Sequence, residues 1–317
     1  MLLLLLYGFL FVKWHGVVLK SKVVLEKELF KNFFKYGLAI AISSAATIIL
    51  GDVDTVLLSF FKSVKDVALY NVARPSALLI TNTVGPILTL IFPTTSHLWH
   101  ARNVEGLKEF VRNLHTVLLV ITGPLALGLI AFSRQVITVL FGPEYSTAST
   151  ALTILAIARL LMVFQSIVLS MLPGIGKPMI VTKMIYLGAI INLIIDLVLI
   201  PLIGINGAAV GTLIATIVMY GYGITKLNKH IKLKLDFKDL AKISLANMMV
   251  YGVLILVKQF VKIQALMRIM LGITIAIPIY VSLLLCLRVI TKQRIKYIIN
   301  LLPHKANIIK GFVQKWL

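Results

Sequence analysis

Apolar residues run along this chain in long blocks, not in the alternating or one-faced patterns of water-soluble strands and helices. Four blocks contain no Asp, Glu, Lys or Arg, at residues 75–101, 113–133, 197–225 and 269–287. Each is near or above the ~20 residues that cross a ~30 Å hydrocarbon core as a helix. Four further blocks carry only a few charges, at 33–61, 148–172, 179–200 and 243–261. The pattern predicts an all-α polytopic integral membrane protein with eight full transmembrane helices. Residues 2–12 are apolar but too short to span, and they lack the basic start and small-residue cleavage site of a secretory signal. They are expected to be the truncated end of a ninth span.

Composition sharpens this. Of 317 residues, 59 % are hydrophobic and 14 % charged, whereas a globular domain carries about 25 % charged residues. The net charge of +21 would suggest nucleic acid in a soluble protein, but its distribution argues otherwise. Numbered from the N-terminus, the odd loops hold 24 of the 32 basic residues and the even loops 6. Such alternation is the signature of a cytoplasmic odd side, with the C-terminus inside and no nucleic-acid partner. The lone cysteine, Cys286, offers neither a disulfide framework nor a metal spacing.

Proline and glycine punctuate the spans: Pro75, Gly85, Pro86 and Pro93 in one, Gly123 and Pro124 in the next, Pro278 in the last. Proline bends a membrane helix and frees a carbonyl that neighbours must satisfy. Gly207, Gly211 and Ala215 recur every four residues, a small-residue face for close helix approach.

Five ionisable residues fall inside predicted spans or at their mouths: Asp52, Asp54, Arg74, Arg159 and Asp196. Each would cost about 2.5 to 3.5 kcal/mol at mid-membrane on insertion scales, so such groups usually face a bundle interior or a watery cavity. Ser44, Thr47, Gly51 and Asp54 share a helical stripe, and Asp52 lies about 200° round from Asp54. Tyr70, Arg74, Ala77 and Thr81 form a second stripe; Arg159, Val163, Ser166 and Ser170 a third; Gly188, Asn192 and Asp196 a fourth. The competing structural reading makes Asp54 and Arg74 an ion pair between adjacent helices and puts Asp196, near Pro201, at the outer interface.

Other motifs carry no chemistry. PGIGKP at 173–178 lacks the GxxxxGK[ST] spacing of a phosphate loop and is a turn. His97 and His100 flank Trp99 in an interfacial belt, with no carboxylate or thiol at metal-ligand spacing. No metal or cofactor is expected, and the short outer loops leave no room for an enzyme's catalytic domain. Residues 291–317 form a basic amphipathic tail suited to anionic membrane lipids.

Several segments then resemble a known family. DTVLLSFFKSVKDVALYNVARP at 54–75, FGPEYSTASTALTILA at 141–156, GKPMI at 176–180 and INLIIDLVLIPLIGINGAAVGT at 191–212 occur in the order seen in the polysaccharide or oligosaccharide flippase branch of the multidrug/oligosaccharidyl-lipid/polysaccharide exporter superfamily. The resemblance implies a two-lobed transporter that moves lipid-linked glycans outward by alternating access through a cationic cavity. Residues 1–12 would then be the remnant of a first-lobe span, 13–32 a cytoplasmic basic linker and 33–225 a six-helix second lobe. Residues 226–242 would be a cytoplasmic basic loop, 243–290 two additional spans and 291–317 the interfacial tail. By position, Asp54, Arg74 and Asn192 match family motifs, whereas Asp52, Arg159 and Asp196 rest on the physical argument. Thr55 stands where the family commonly has a basic residue. The implied partner is a polyprenyl-linked oligosaccharide, with a separate first-lobe chain as a further partner. The alternatives are a cation-coupled multidrug exporter using Asp54 or Asp196, and an inactive fragment lacking the first lobe.

Overall fold

The computed structural model describes residues 52–233, 236–261 and 263–289, with isolated helical positions 28, 31, 34, 37 and 38. The chain runs through α1 (residues 52–61), α2 (Val64–Thr83), α3 (Gly85–Thr89), α4 (Ile91–His100), α5 (Val104–Ala131) and α6 (Ser133–Phe141). A 3-10 turn at Pro143–Ala148 leads into α7 (Ser149–Gly174), α8 (Pro178–Ile203), α9 (Ile205–Ile231), α10 (Phe237–Phe260) and α11 (Ala265–Cys286). No strand occurs among the described residues. Among the described residues, seven helical units are long and apolar enough to cross a membrane. Of the expected span at 33–61, only the part from residue 52 is described as a continuous helix. Residues 2–12, the stripe positions Ser44, Thr47 and Gly51, and the tail at 291–317 lie outside the described residues.

Local chemistry moves several predicted boundaries. The helix expected from Pro75 begins at Val64 because Ser63 and Asp66 form a capping box: Asp66 N–H donates to Ser63 Oγ at 3.3 Å and Ser63 N–H to the Asp66 carboxylate at 3.1 Å. That apolar run then breaks at Val84 and at Leu90, around Gly85–Pro86. The charge-free block at 197–225 is cut in two by Gly204, whose φ of 59° turns the chain from α8 into α9. The loop expected over 226–242 is shorter. α9 continues to Ile231 and ends on a left-handed Lys232, and Asn228 Oδ1 accepts the Leu233 N–H at 2.8 Å. α10 starts directly after Asp236, which caps it by accepting the Asp239 N–H at 3.2 Å.

α7 is central, packing against α2, α4, α5, α8 and α9, while α8 is held mainly along α9. One apolar cluster joins Leu107, Phe110 and Leu114 of α5 to Ile167 and Met171 of α7 and Met184 of α8. A second joins Leu58, Tyr70 and Ala73 to Leu152, Leu155 and Ala209. Lipid is as apolar as these side chains, so close backbone approach has to supply the cohesion. The small-residue face of α9 provides it: a Cβ on Gly207 would strike the backbone of Leu199 and Ile200 on α8.

α10 and α11 form a pair that packs chiefly on α5 and α6. Pro124 cannot donate to the Val120 carbonyl one turn back. Tyr280 of α11 supplies the missing donor, its hydroxyl 2.9 Å from Val120 O. Asn247 of α10 sits in the notch left by Gly123, and Lys258 Nζ donates to the terminal Ala131 carbonyl at 2.8 Å. The gap that Pro124 leaves in the hydrogen-bond ladder of α5 is thus bracketed by α10 and α11.

Candidate functional site

A cavity of about 450 Å³ opens between α1, α2, α7, α8 and α9. Helical period explains how α1 contributes. Asp54 and Leu58, four residues apart, are buried, whereas Asp52 faces outward and is 67 % exposed at its side chain. Asp54 Oδ2 accepts the Tyr70 hydroxyl at 2.5 Å and the Thr212 hydroxyl at 2.8 Å. Its other oxygen has no hydrogen-bond partner. Arg74, one turn beyond Tyr70, lines the same cavity but pairs with Asp52, Nη1 to Oδ1 at 3.1 Å. The Asp54–Arg74 ion pair of the competing structural reading is therefore not formed: each takes a different partner because α1 presents its two aspartates on opposite faces.

Asp196 is not on the surface of the bundle. It is fully buried one layer behind the cavity wall, close enough to Asp54 for the two carboxyl groups to interact. Asn192 Nδ2 donates to Asp196 Oδ2 at 3.1 Å, and Asp196 Oδ1 has no hydrogen-bond partner. Gly211 makes this possible, since a Cβ there would collide with the Asp196 carboxylate and crowd the Asn192 amide. The small-residue stripe of α9 thus does more than pack helices: it lets Thr212, the next residue, reach Asp54.

Arg159 of α7 lies on the wall beside Arg74. Its Nη1 contacts Met162 Sδ at 3.4 Å, its Nε has no partner, and it forms no ion pair among the described residues. Gln165, Ser166, Gly188 and Met219 continue the wall away from Asp54. Met219 fills the notch at Gly188 and accepts the Gln165 amide at 3.5 Å. Of the predicted stripes, Tyr70, Arg74, Thr81, Arg159, Ser166, Gly188 and Asn192 line the cavity, while Ala77 and Val163 belong to the apolar core. Thr212, Gln165 and Met219 were not singled out in the sequence. Thr212 closes the INLIIDLVLIPLIGINGAAVGT segment, and that place was its one visible signal. No group of three or more His, Cys, Asp or Glu side chains gathers among the described residues. The polar oxygens of Asp54, Asp196, Asn192 and Thr212 could still surround a small monovalent cation.

The family described as "Polysaccharide biosynthesis protein" matches residues 1–99. An uncharacterised membrane protein of Methanocaldococcus jannaschii is 35 % identical over 72 % of this chain and 45 % of its own length. A probable low-salt glycan biosynthesis flippase of Haloferax volcanii, Agl15, is 24 % identical over 90 % of this chain and 61 % of its own. A solved structure of the lipid II flippase MurJ, in an inward closed conformation, superposes with a TM-score of 0.68 at 19 % identity, covering 87 % of this chain and 58 % of that one. Together these likenesses support a polysaccharide flippase family. The chain is a multi-pass membrane protein whose fold is like that of the MurJ structure. It spans about half the length of the curated relatives it matches.

Proposed function

We propose that this chain forms the second lobe of a flippase that carries a polyprenyl-linked oligosaccharide from the cytoplasmic to the outer leaflet by alternating access. The observation that carries the reading is the pair of guanidinium groups, Arg74 and Arg159, on one cavity, with Arg159 in no ion pair among the described residues. Arginine holds its charge in such a place and offers planar donors that match phosphate oxygens. A diphosphate headgroup would bridge α2 and α7 there, while its glycan occupies the polar wall and its polyprenyl tail remains in lipid. Relatives bearing glycan flippase names support the class of substrate. In this reading the protein sits in the cell membrane with its C-terminus cytoplasmic, and a first lobe, on the same or a separate chain, closes the other side of the cavity.

The test is a vesicle assay with a fluorescent lipid-linked oligosaccharide, run on this chain alone and on the chain joined to a relative's first lobe. Transfer between leaflets that is lost on Arg159→Gln supports the reading. A labelled lipid that stays in its starting leaflet with the joined protein sinks it.

A second reading is favoured by the acidic cluster. Asp54 and Asp196 each keep one buried oxygen without a partner, and two adjacent carboxyl groups call for a proton or monovalent cation between them. A cation-coupled exporter of small cationic compounds would use this cluster as its coupling site. Drug-accumulation assays separate the two, because only an exporter lowers cellular uptake of cationic dyes.

A further inference from the structure

The Arg74–Asp52 pair has features that a purely structural bridge does not need. α1 and α2 are already tied together by the buried Tyr70–Asp54 bond, and Thr55 lies 3.5 Å from Asn71 between the same two helices. The capping box at Ser63 fixes the turn between them. The Arg74–Asp52 contact is a single hydrogen bond, Nη1 to Oδ1, and not the bidentate fork that guanidinium and carboxylate can form. Arg74 remains 28 % exposed and forms part of the cavity wall, whereas Asp52 lies outside that wall. The cavity therefore holds two unequal arginines, Arg159 in no ion pair among the described residues and Arg74 with a single-bonded partner at its edge.

We propose that Asp52 is the resident counter-ion of Arg74 and gives it up when a phosphate-bearing headgroup enters the cavity. This rests on the phosphate-binding reading above and adds a residue that sets affinity. Half-exposed ion pairs are weak and exchange readily, so Asp52 can hold Arg74 in place when the cavity is empty yet yield to a ligand with more charge and more acceptor oxygens. Competition of this kind lowers affinity for the headgroup, which favours release on the far side of the membrane: a transporter that bound the phosphate with both arginines fully free would retain it.

The experiment measures binding of a short-chain polyprenyl diphosphate to the purified chain in detergent, with the matching polyprenol as uncharged control. Asp52→Asn is expected to tighten binding about two- to fivefold, the size set by releasing an arginine from a half-exposed pair. Asp52→Glu keeps the charge and is expected to stay near the parent value. In an Arg74→Gln background, Asp52→Asn is expected to change nothing, as a double-mutant cycle requires of a competitor acting through Arg74. Asp52→Ser repeats the measurement should Asn lower the yield of folded protein. Unchanged or weaker binding in Asp52→Asn, or equal tightening without Arg74, overturns the counter-ion role while leaving the phosphate site standing. If the parent chain binds no diphosphate and Asp52→Asn gains binding, the counter-ion role is upheld. If neither binds, the phosphate reading itself falls, and this inference with it.

Discussion

Asp54 accepts two hydroxyl hydrogen bonds on one oxygen and none on the other, buried at the cavity wall. An asparagine there can keep its amide oxygen toward Tyr70 and Thr212, so Asp54→Asn is expected to preserve folded protein while abolishing transport. Quantifying membrane abundance beside flipping activity checks this; loss of abundance alone would make Asp54 structural. Gly211→Ala attacks the same cluster sterically. A methyl group aimed at the Asp196 carboxylate has the character of core overpacking, which costs about 1–3 kcal/mol, and a lowered melting temperature in detergent is the readout. Helical period was enough to separate Asp52 from Asp54. It could not supply their partners, because Thr212 reaches Asp54 across 158 residues, and nothing local in a sequence encodes that meeting. The same limit explains Asp196, whose nearness to Pro201 pointed to an interface and whose actual neighbours come from α1 and α9.

At the level of elements, the long apolar blocks were legible and the breaks within them were not. The Gly85–Pro86 pair divides a stretch that hydropathy alone runs together, whereas the turn at Gly204, with its positive φ, falls between the blocks at 179–200 and 197–225 where the sequence already placed a loop. The brackets on α5 were equally hidden. Pro124 announces a freed carbonyl, yet only the packed structure identifies Tyr280 as its donor. Tyr280→Phe removes that donor and nothing else of size. Hydrogen bonds between membrane helices average about 0.6 kcal/mol and reach about 1.7, so a loss within that range is expected in detergent unfolding. Lys258→Met, which uncouples α10 from the Ala131 carbonyl, should add to it, because the two contacts lie on either side of Pro124 and share no partner. Additivity would identify α10 and α11 as a brace on α5; a negligible effect of both changes would show that apolar packing alone holds them there.

Across the whole molecule, α8 turns the soluble-protein rule inside out. Ile190, Ile194, Val198 and Leu202 form an exposed apolar stripe, while Asn192 and Asp196 point inward. That inversion suits a helix solvated by lipid and bounded by a polar cavity. The two ends of the bundle are also sorted. Lys62 Nζ donates to the Pro201 carbonyl at 3.0 Å beside Gly204, and Lys258 reaches Ala131, bringing together chain segments from even-numbered loops. At the opposite end Thr95 packs against Gly174, near turns that carry the denser basic residues. The alternation of charge along the sequence thus agrees with helix ends that meet in space, and the positive-inside rule is the ground on which the proposed orientation puts the basic end in the cytoplasm. Cys286 is the sole cysteine, so Cys286→Ser gives a background for labelling. Ser63→Cys in that background is expected to react with a membrane-impermeant maleimide applied to intact cells, and Lys232→Cys only after permeabilisation. Labelling of both from one side would break the alternation, and labelling in the reverse order would invert the bundle and with it the direction in which Arg74 and Arg159 first meet a headgroup.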